Sequence, residues 1–466
     1  LIPDEEAAEK HHVTDAKPLY SYPDSTEYNK EFPEANKYLS KDSNWQGALY
    51  SGLSKDKLYQ FKAVAAKEID GKVQIGKEVS SDTFVIYEVK QYDTFPKIAK
   101  YYGIPLATIM KDNQVIDALV VANNTIFIRN PKTNVPYNPA PLTDIDKMRI
   151  DGALMGRRLH CEFGFEPVNL NTGNFYMDQS DASLNDFGGE FSITRSYNSK
   201  ATDRNSMFGR GWSFNYDQAL SMLEDGTVLY MRGDGSTLFF EKNEDGSYSA
   251  PNGYEYDLKS VSYEDTDYDY IGWEITDAEQ SIWSFDKYGM LRFVTDVDGF
   301  KTVLDYDDDY NLESITTPSG KKFQIKQDDQ GYVTEITLPD GGKLSYEYDE
   351  SGNLTGYVDA AGGTYSYNYD DQYRMTSWQD ANENTVVTNE YDEEGRVVKQ
   401  TDANGNTSTM EYSDGQTVTT DNEGNVTTYK YDDQYRTTEI IYPDGTTCQK
   451  TYNSENQLES EITANG

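Results

Sequence analysis

The residues best suited to chemistry in this chain are its carboxylates: 81 Asp and Glu stand against 41 Lys and Arg, a formal charge of −40 over 466 residues. Paired carboxylates can do general acid–base or glycosidic work, but at this density close pairs arise without any cleft to use them. The aspartates of "DVDGF" (296–300) resemble calcium ligands, yet each turn offers few oxygens and none places Glu at the twelfth loop position of an EF-hand. His160 and Cys161 are adjacent ligand types with no partner cluster. No nucleophile–base set is readable. The expectation is a chain with no catalytic residue, no metal and no cofactor, whose aspartates serve turns, because a short carboxylate accepts from nearby backbone N–H groups.

Those turns are periodic. In "TYSYNYDDQYRMTSW" (364–378), Tyr365, Tyr367 and Tyr369 alternate with Ser366 and Asn368, which puts the rings on one face of a strand. Asp370 and Asp371 suit a turn, and Arg374, Met375, Thr376 and Trp378 resume an extended pattern. Aromatic-Asp steps begin at 285, 306, 348, 369, 391 and 431, while 327, 412 and 452 keep the register with one position changed; successive spacings are 21, 21, 21, 21, 22, 21, 19 and 21. Such an internal period dictates architecture. Each unit reads as strand, Asp turn, strand, Asp-Gly or Asn-Gly turn: one β-hairpin. A lone hairpin is marginal in water, so the hairpins must stack their ring-bearing faces, burying roughly 150–250 Å² per ring. Tyr306, Tyr348, Tyr369, Tyr391 and Tyr431 are the expected structural repeat residues.

This register resembles the YD-repeat of Rhs proteins, tripartite insecticidal toxin shells and teneurins. The resemblance, rather than the spacing, implies a hairpin spiral that closes as a hollow shell around a C-terminal toxin or other cargo. Upstream, "EPVNLNTGNFYMDQSDASLNDFGGEFSITRSYNSKATDRNSMFGRGWSFNYD" (166–217) is similar to the entry module of Rhs shells. Pro167, Val168, Asn169, Thr172, Gly173, Asn174, Phe175, Arg195, Ser196, Tyr197, Asn198, Ser199, Gly209, Gly211 and Trp212 match, and Glu166 stands where that family has Asp. Read as residues, they are scaffold: glycines for turns, Trp212 for core, Arg195 as a surface or paired strand residue.

Residues 84–131 change period. "FVIYEVK" reads as a strand; "DTFPKIAKYYG" as a helix capped by Asp93 or Thr94, with Ile98, Ala99 and Tyr102 inward and Gly103 at its end; "PLATIMKDN" as a second helix with Leu106, Ile109 and Met110 inward; "NTIFIRNP" as a strand. This βααβ unit resembles a LysM module, through Tyr87, Val89, Asp93, Thr94, Ile98, Ala99, Tyr102, Gly103, Asn113, Ile126 and Ile128; Tyr92 and Asn124 depart from the family's glycines. The resemblance implies binding of peptidoglycan or chitin-like glycan by Tyr92, Asp93, Thr94 and Phe95 on one loop and Val115, Ile116 and Asp117 on the other. Residues 49–84 resemble the second half of a fibronectin type III sandwich, with Leu53, Tyr59, Phe61 and Ala63 as core, and the proline-rich 130–144 reads as a semi-rigid linker.

The expected fold is mostly β: a partial β-sandwich (1–83), a βααβ LysM-like module (84–131), a linker (132–158), an Rhs entry module (159–250) and YD-repeat hairpins (251–466) forming a shell-like sheet. The negative charge opposes binding to nucleic acid or anionic lipid, and no run of 18 apolar residues spans a bilayer. The first residues have neither an initiator Met nor a signal-peptide pattern, as in a piece of something longer. Cys161 and Cys448 are expected as free thiols. The function expected is the non-catalytic shell of a secreted or wall-associated bacterial Rhs-type toxin, with a cargo-free surface adhesin as the alternative.

Overall fold

The computed structural model describes residues 2–3, 17–21, 48–51, 53–55, 57–69, 72–90, 93–113, 115, 119–122, 124–133, 155–165, 167–261, 271–308 and 310–464. By contact the chain divides into residues 1–89, 98–116 and 124–137 as one unit, and 90–97, 117–123 and 138–466 as the other.

In the first unit, Leu58–Ile69 and Lys72–Glu88 form a long antiparallel hairpin, joined on one side by Ile2–Pro3 and on the other by Thr125–Arg129. Lys72–Glu88 runs unbroken through residue 84, so the sandwich-like and βααβ segments share a strand. Tyr59 is buried and Leu53 half-buried; the side chains of Phe61 and Ala63 lie outside those described. Helix α1 (Phe95–Tyr102), of which residues 98–102 belong to this unit and 95–97 to the other, begins at Thr94, whose Oγ1 accepts from the Lys97 N–H at 3.4 Å. Gly103, at φ +61°, ends it. Helix α2 (Leu106–Asp112) stops at Asn113, whose side chain donates to the Ile109 and Phe127 carbonyls and accepts from the Phe127 N–H. The expected inward stripes hold: Ile98, Ala99, Tyr102, Ile109 and Met110 are buried, and Leu106 is half-buried. Most of the expected linker, residues 134–154, lies outside the described residues.

The second unit contains the repeats as a 20-stranded antiparallel sheet, from Asp257–Ser260 to Leu458–Ile462, each strand pairing with its neighbours in sequence. One turn plan recurs through the repeats. In 349–353 the Asp349 Oδ1 accepts from the Ser351 and Asn353 N–H groups, both at 2.9 Å, while Gly352 at φ +82° closes the loop onto the Asp349 carbonyl. The same two bonds recur at Asp286, Asp328, Asp370, Asp392 and Asp432 on one edge of the sheet. They recur at Asp296, Asp359, Asp380, Asp402 and Asp421 on the other. The "DVDGF" aspartate is therefore occupied as a turn acceptor. Glu383 takes the glycine place at φ +63°, where a side chain costs about 1–2 kcal/mol. Glu383→Gly is expected to stabilise the chain by about 0.5–1 kcal/mol after the added unfolded-state entropy, read as a higher urea midpoint with an unchanged slope.

A β-bulge accompanies each aromatic-Asp step except the one at Tyr412. The repeat tyrosine then reaches back to the previous hairpin. Tyr306, Tyr348, Tyr369, Tyr412 and Tyr452 donate to the carbonyls of Leu291, Val333, Leu354, Val397 and Thr437, at 2.6–3.0 Å and always fifteen residues back. Tyr391 bonds Met375 sixteen back at 2.7 Å. Gln327, the irregular member, makes the same rung with its Nε2 to the Leu312 carbonyl at 3.3 Å. Tyr431 differs: its hydroxyl stands 3.5 Å from the Ser413 carbonyl, at the limit of a hydrogen bond. Tyr412→Phe is expected to cost about 0.5–1.5 kcal/mol, and Gln327→Leu a similar amount, in chemical denaturation.

Candidate functional site

The matched entry residues form a spine along the sheet. Two long strands, Tyr176–Asp186 and Gly189–Asn198, pair antiparallel, and Trp212–Phe214 adds a third. The asparagines explain themselves as backbone substitutes. Asn174 Nδ2 donates to Asn198 Oδ1, which also accepts from the Gly156 N–H, and Asn198 Nδ2 donates to the Asp234 carbonyl, all at 2.8–2.9 Å. Ser199 Oγ accepts from the Phe175 N–H. Gly173 and Gly209 lie where a Cβ would come within 2.4 Å of Arg396 Cβ and 2.5 Å of the Gly352 carbonyl.

From this spine, backbone and side chains bond one hairpin after another. Asp186 accepts from the Ser319 hydroxyl at 2.6 Å and backbone N–H at 3.1 Å. The Met207 carbonyl accepts from Val333 N–H, the Gly173 carbonyl from Val397 N–H and the His160 carbonyl from Thr437 N–H, at 2.8–3.0 Å. The Tyr197 hydroxyl accepts from Met375 N–H at 2.8 Å, and Trp212 Nε1 donates to the Tyr369 hydroxyl at 3.0 Å. Four of these donors, Val333, Met375, Val397 and Thr437, lie just beyond a bulged aromatic-Asp step. The bulge leaves their N–H groups unpaired within the sheet; the spine takes them up.

At the centre sits a buried ion pair. Arg195 Nε and Nη2 meet the two oxygens of Asp181 at 2.5 and 2.8 Å, and both side chains are fully buried. Tyr346 OH donates to the same carboxylate at 2.8 Å. The rings of Trp212, Tyr357, Tyr346, Phe208 and Tyr367 surround the guanidinium at 4.7–6.0 Å. Burial by itself would lower the Arg195 pKa, but the Asp181 charge outweighs it and holds the guanidinium protonated well above its ordinary range. Arg195 is thus the paired strand residue of the sequence reading and not a surface one. Its partner escaped that reading because a bulge between Ile193 and Thr194 leaves Asp181 out of the strand register and turns it inward.

The candidate glycan residues fall differently. Asp93, Thr94 and Phe95 are buried. The Asp93 carboxylate accepts from the Lys90 N–H at 2.7 Å and Thr94 Oγ1 meets Met290 Sδ at 3.5 Å. Val115 is half-buried, while Tyr92, Ile116 and Asp117 lie outside the described residues. Among the described residues no cluster of three His, Cys, Asp or Glu could hold a metal ion. Cys161 and Cys448 are free, and burial pushes the Cys161 thiol up to about 11.

Comparison with known proteins places three family models on this second unit: a domain of unknown function (DUF6531) over residues 165–240, the teneurin YD-shell over 210–413 and the RHS repeat over 413–447. Similar curated proteins include the tRNA3(Ser)-specific nuclease WapA of Bacillus spizizenii and the tRNA nuclease WapA of Bacillus subtilis, each 30% identical over 95 residues. That match covers 20% of this chain and 4% of the length of either relative. Among solved structures, the crystal structure of TcdB2-TccC3-TEV is similar at 13% identity and a TM-score of 0.28, over 61% of this chain and 19% of that one. The Photorhabdus luminescens Tc holotoxin pore is similar at 11% identity and a TM-score of 0.25, over 87% and 22%.

Proposed function

The chain carries Rhs-repeat and teneurin YD-shell domains, and from that premise we propose that it is the non-catalytic wall of a secreted or surface-displayed toxin, built to hold or present a cargo domain of its parent protein. The observation that carries this reading is the spine: buried entry residues bond successive hairpins of one continuous sheet. The nuclease activity named for the curated relatives is theirs; the part aligned here is a small share of their length. No helix among the described residues is long and apolar enough to cross a membrane.

Deleting residues 155–464 from the parent protein tests the role. The expected result is loss of intoxication of neighbouring cells, with the isolated cargo as active as before. Hydrolysis of tRNA by this chain alone would overturn the non-catalytic reading.

A glycan tether through the βααβ segment is the finer part of the proposal. It is supported by the resemblance of residues 84–131 and opposed by the burial of Asp93, Thr94 and Phe95. Co-sedimentation with insoluble peptidoglycan and chitin decides it. Retention that falls at least tenfold in Val115→Asp supports a tether, whereas a folded chain left in the supernatant by both glycans removes it.

A further inference from the structure

One repeat lacks the feature that the others share. At Tyr412 the sheet has no bulge, and a two-residue Asp414-Gly415 turn replaces the five-residue Asp turn, so that Ser413 pairs directly with Gln416. This shortened edge leaves a groove of about 830 Å³ between turns 392–396 and 432–436, walled by Asn171, Glu394, Asp414, Tyr431, Asp433 and Tyr435 among others.

The missing turn removes more than bulk. Arg374, Arg396 and Arg436 occupy the last place of their turns, each bonded to its turn aspartate through Nε at 2.7–2.8 Å. Each guanidinium lies over the repeat tyrosine of the following unit: Arg374 over Tyr391, Arg396 over Tyr412 and Arg436 over Tyr452, at 4.7–4.8 Å. Arg292 covers Tyr306 in the same way at 4.3 Å. The next tyrosine in line after Tyr412 is Tyr431, and its preceding turn has no arginine to give. Tyr431 instead stacks on Tyr435 at 5.9 Å, and Arg158 lies over the Tyr435 ring at 5.9 Å; both tyrosines line the groove.

The rest of the lining is short of positive charge. Arg396 is already bonded to Asp392 and Glu394, and Lys200 to the Glu394 carbonyl. Asp414 and Asp433 are exposed and make no ion pair among the described residues. Asn171, 2% exposed, spends its Nδ2 on the Tyr435 carbonyl and the Thr437 hydroxyl, while its buried Oδ1 has no hydrogen-bond partner among the described residues. An acceptor left over in the wall, two exposed carboxylates and a repeat tyrosine without the turn arginine of its neighbours all call for a cationic donor. The net charge of −40 draws such a group in.

We propose that this groove binds an extended cationic peptide segment, one of whose arginine or lysine side chains takes the place over Tyr431 that a turn arginine fills in the neighbouring repeats. Asp414 and Asp433 flank that side chain.

The test is fluorescence anisotropy of a labelled Arg- and Lys-containing peptide titrated with the whole chain, beside the same peptide with Gln at every basic position. Binding of the basic peptide alone is expected. The double variant Asp414→Asn/Asp433→Asn, at exposed positions, should weaken it at least tenfold. Replacing residues 413–416 with a five-residue turn ending in Arg, which seats its own guanidinium on Tyr431, should abolish it. A control pair on the opposite turn edge, Asp340→Asn/Glu423→Gln, removes the same charge and should change affinity less than twofold. No binding by the native chain overturns the proposal. So does an equal loss in the control pair, which would mean attraction by net charge alone, or unchanged affinity in the Asp414/Asp433 variant.

Discussion

Arg195→Met lowers the unfolding free energy by about 3–5 kcal/mol, the usual cost of leaving one member of a buried ion pair without its partner. The side chain that remains, Asp181, keeps only the Tyr346 hydroxyl at 2.8 Å and a wall of rings. Water cannot reach it, since both side chains of the pair are fully buried. The double variant Arg195→Met/Asp181→Leu removes both charges, and most of the loss should return. Tyr346→Phe added to that pair should recover a further part, because the hydroxyl then has no acceptor. Urea unfolding of the native chain and the three variants, with slopes compared as well as midpoints, measures it. A loss under about 1 kcal/mol in the single variant, the size of an exposed pair, would show that the carboxylate finds water and that the core is looser than described.

Alkaline pH should dismantle the sheet in one step. Burial raises the phenol pKa of Tyr197, Tyr346, Tyr348 and Tyr369 well above 10, and raises that of Tyr306, Tyr391 and Tyr412 as well. A proton held more tightly in the folded than in the unfolded chain means stability that is fully present below the unfolded pKa, about 10. That stability is lost as pH rises from there toward the folded value, at about 1.4 kcal/mol per pH unit for each such group. Several rings titrating together therefore remove the whole stability of an ordinary domain within one or two pH units. Tyrosinate absorbance and the β-sheet circular dichroism signal, followed together from pH 8 to 12, should change in the same narrow interval. Absorbance that climbs gradually while the sheet signal persists would mean that the rungs are open to solvent.

The sheet was legible in the sequence because its rules are local. A turn aspartate bonds N–H groups two and four residues away, a strand alternates its faces by twos, and a 21-residue period repeats both. Gln327 keeps the 21-residue register in the sequence, and its amide makes the rung expected of that place. Arg195 was legible as a residue but not as a buried one: its burial depends on a bulge that no spacing announces. The loop at 93–95 was less legible still. Its likeness to a sugar-binding loop is a matter of types and order, whereas its burial comes from partners far along the chain. Met290 stands on Thr94, and Asp217 holds Lys97 at 3.0 Å. Tyr431 was expected to behave as the other repeat tyrosines do; a spacing of 19 was the visible sign that its turn is missing.

The order in which the spine meets the hairpins bears on how the protein is made. A ribosome delivers the spine first and the strands later, one pair at a time. Asp186 waits 133 residues for Ser319, and Asn171 waits 264 for Tyr435. Closing loops of that length one by one would be slow for a free chain. Here each new pair of strands is laid beside one already in place, so the search at every step is short. Growth then resembles a zip that advances at the pace of translation, and a stalled nascent chain should already carry a finished, protease-resistant wall up to the last hairpin that has emerged.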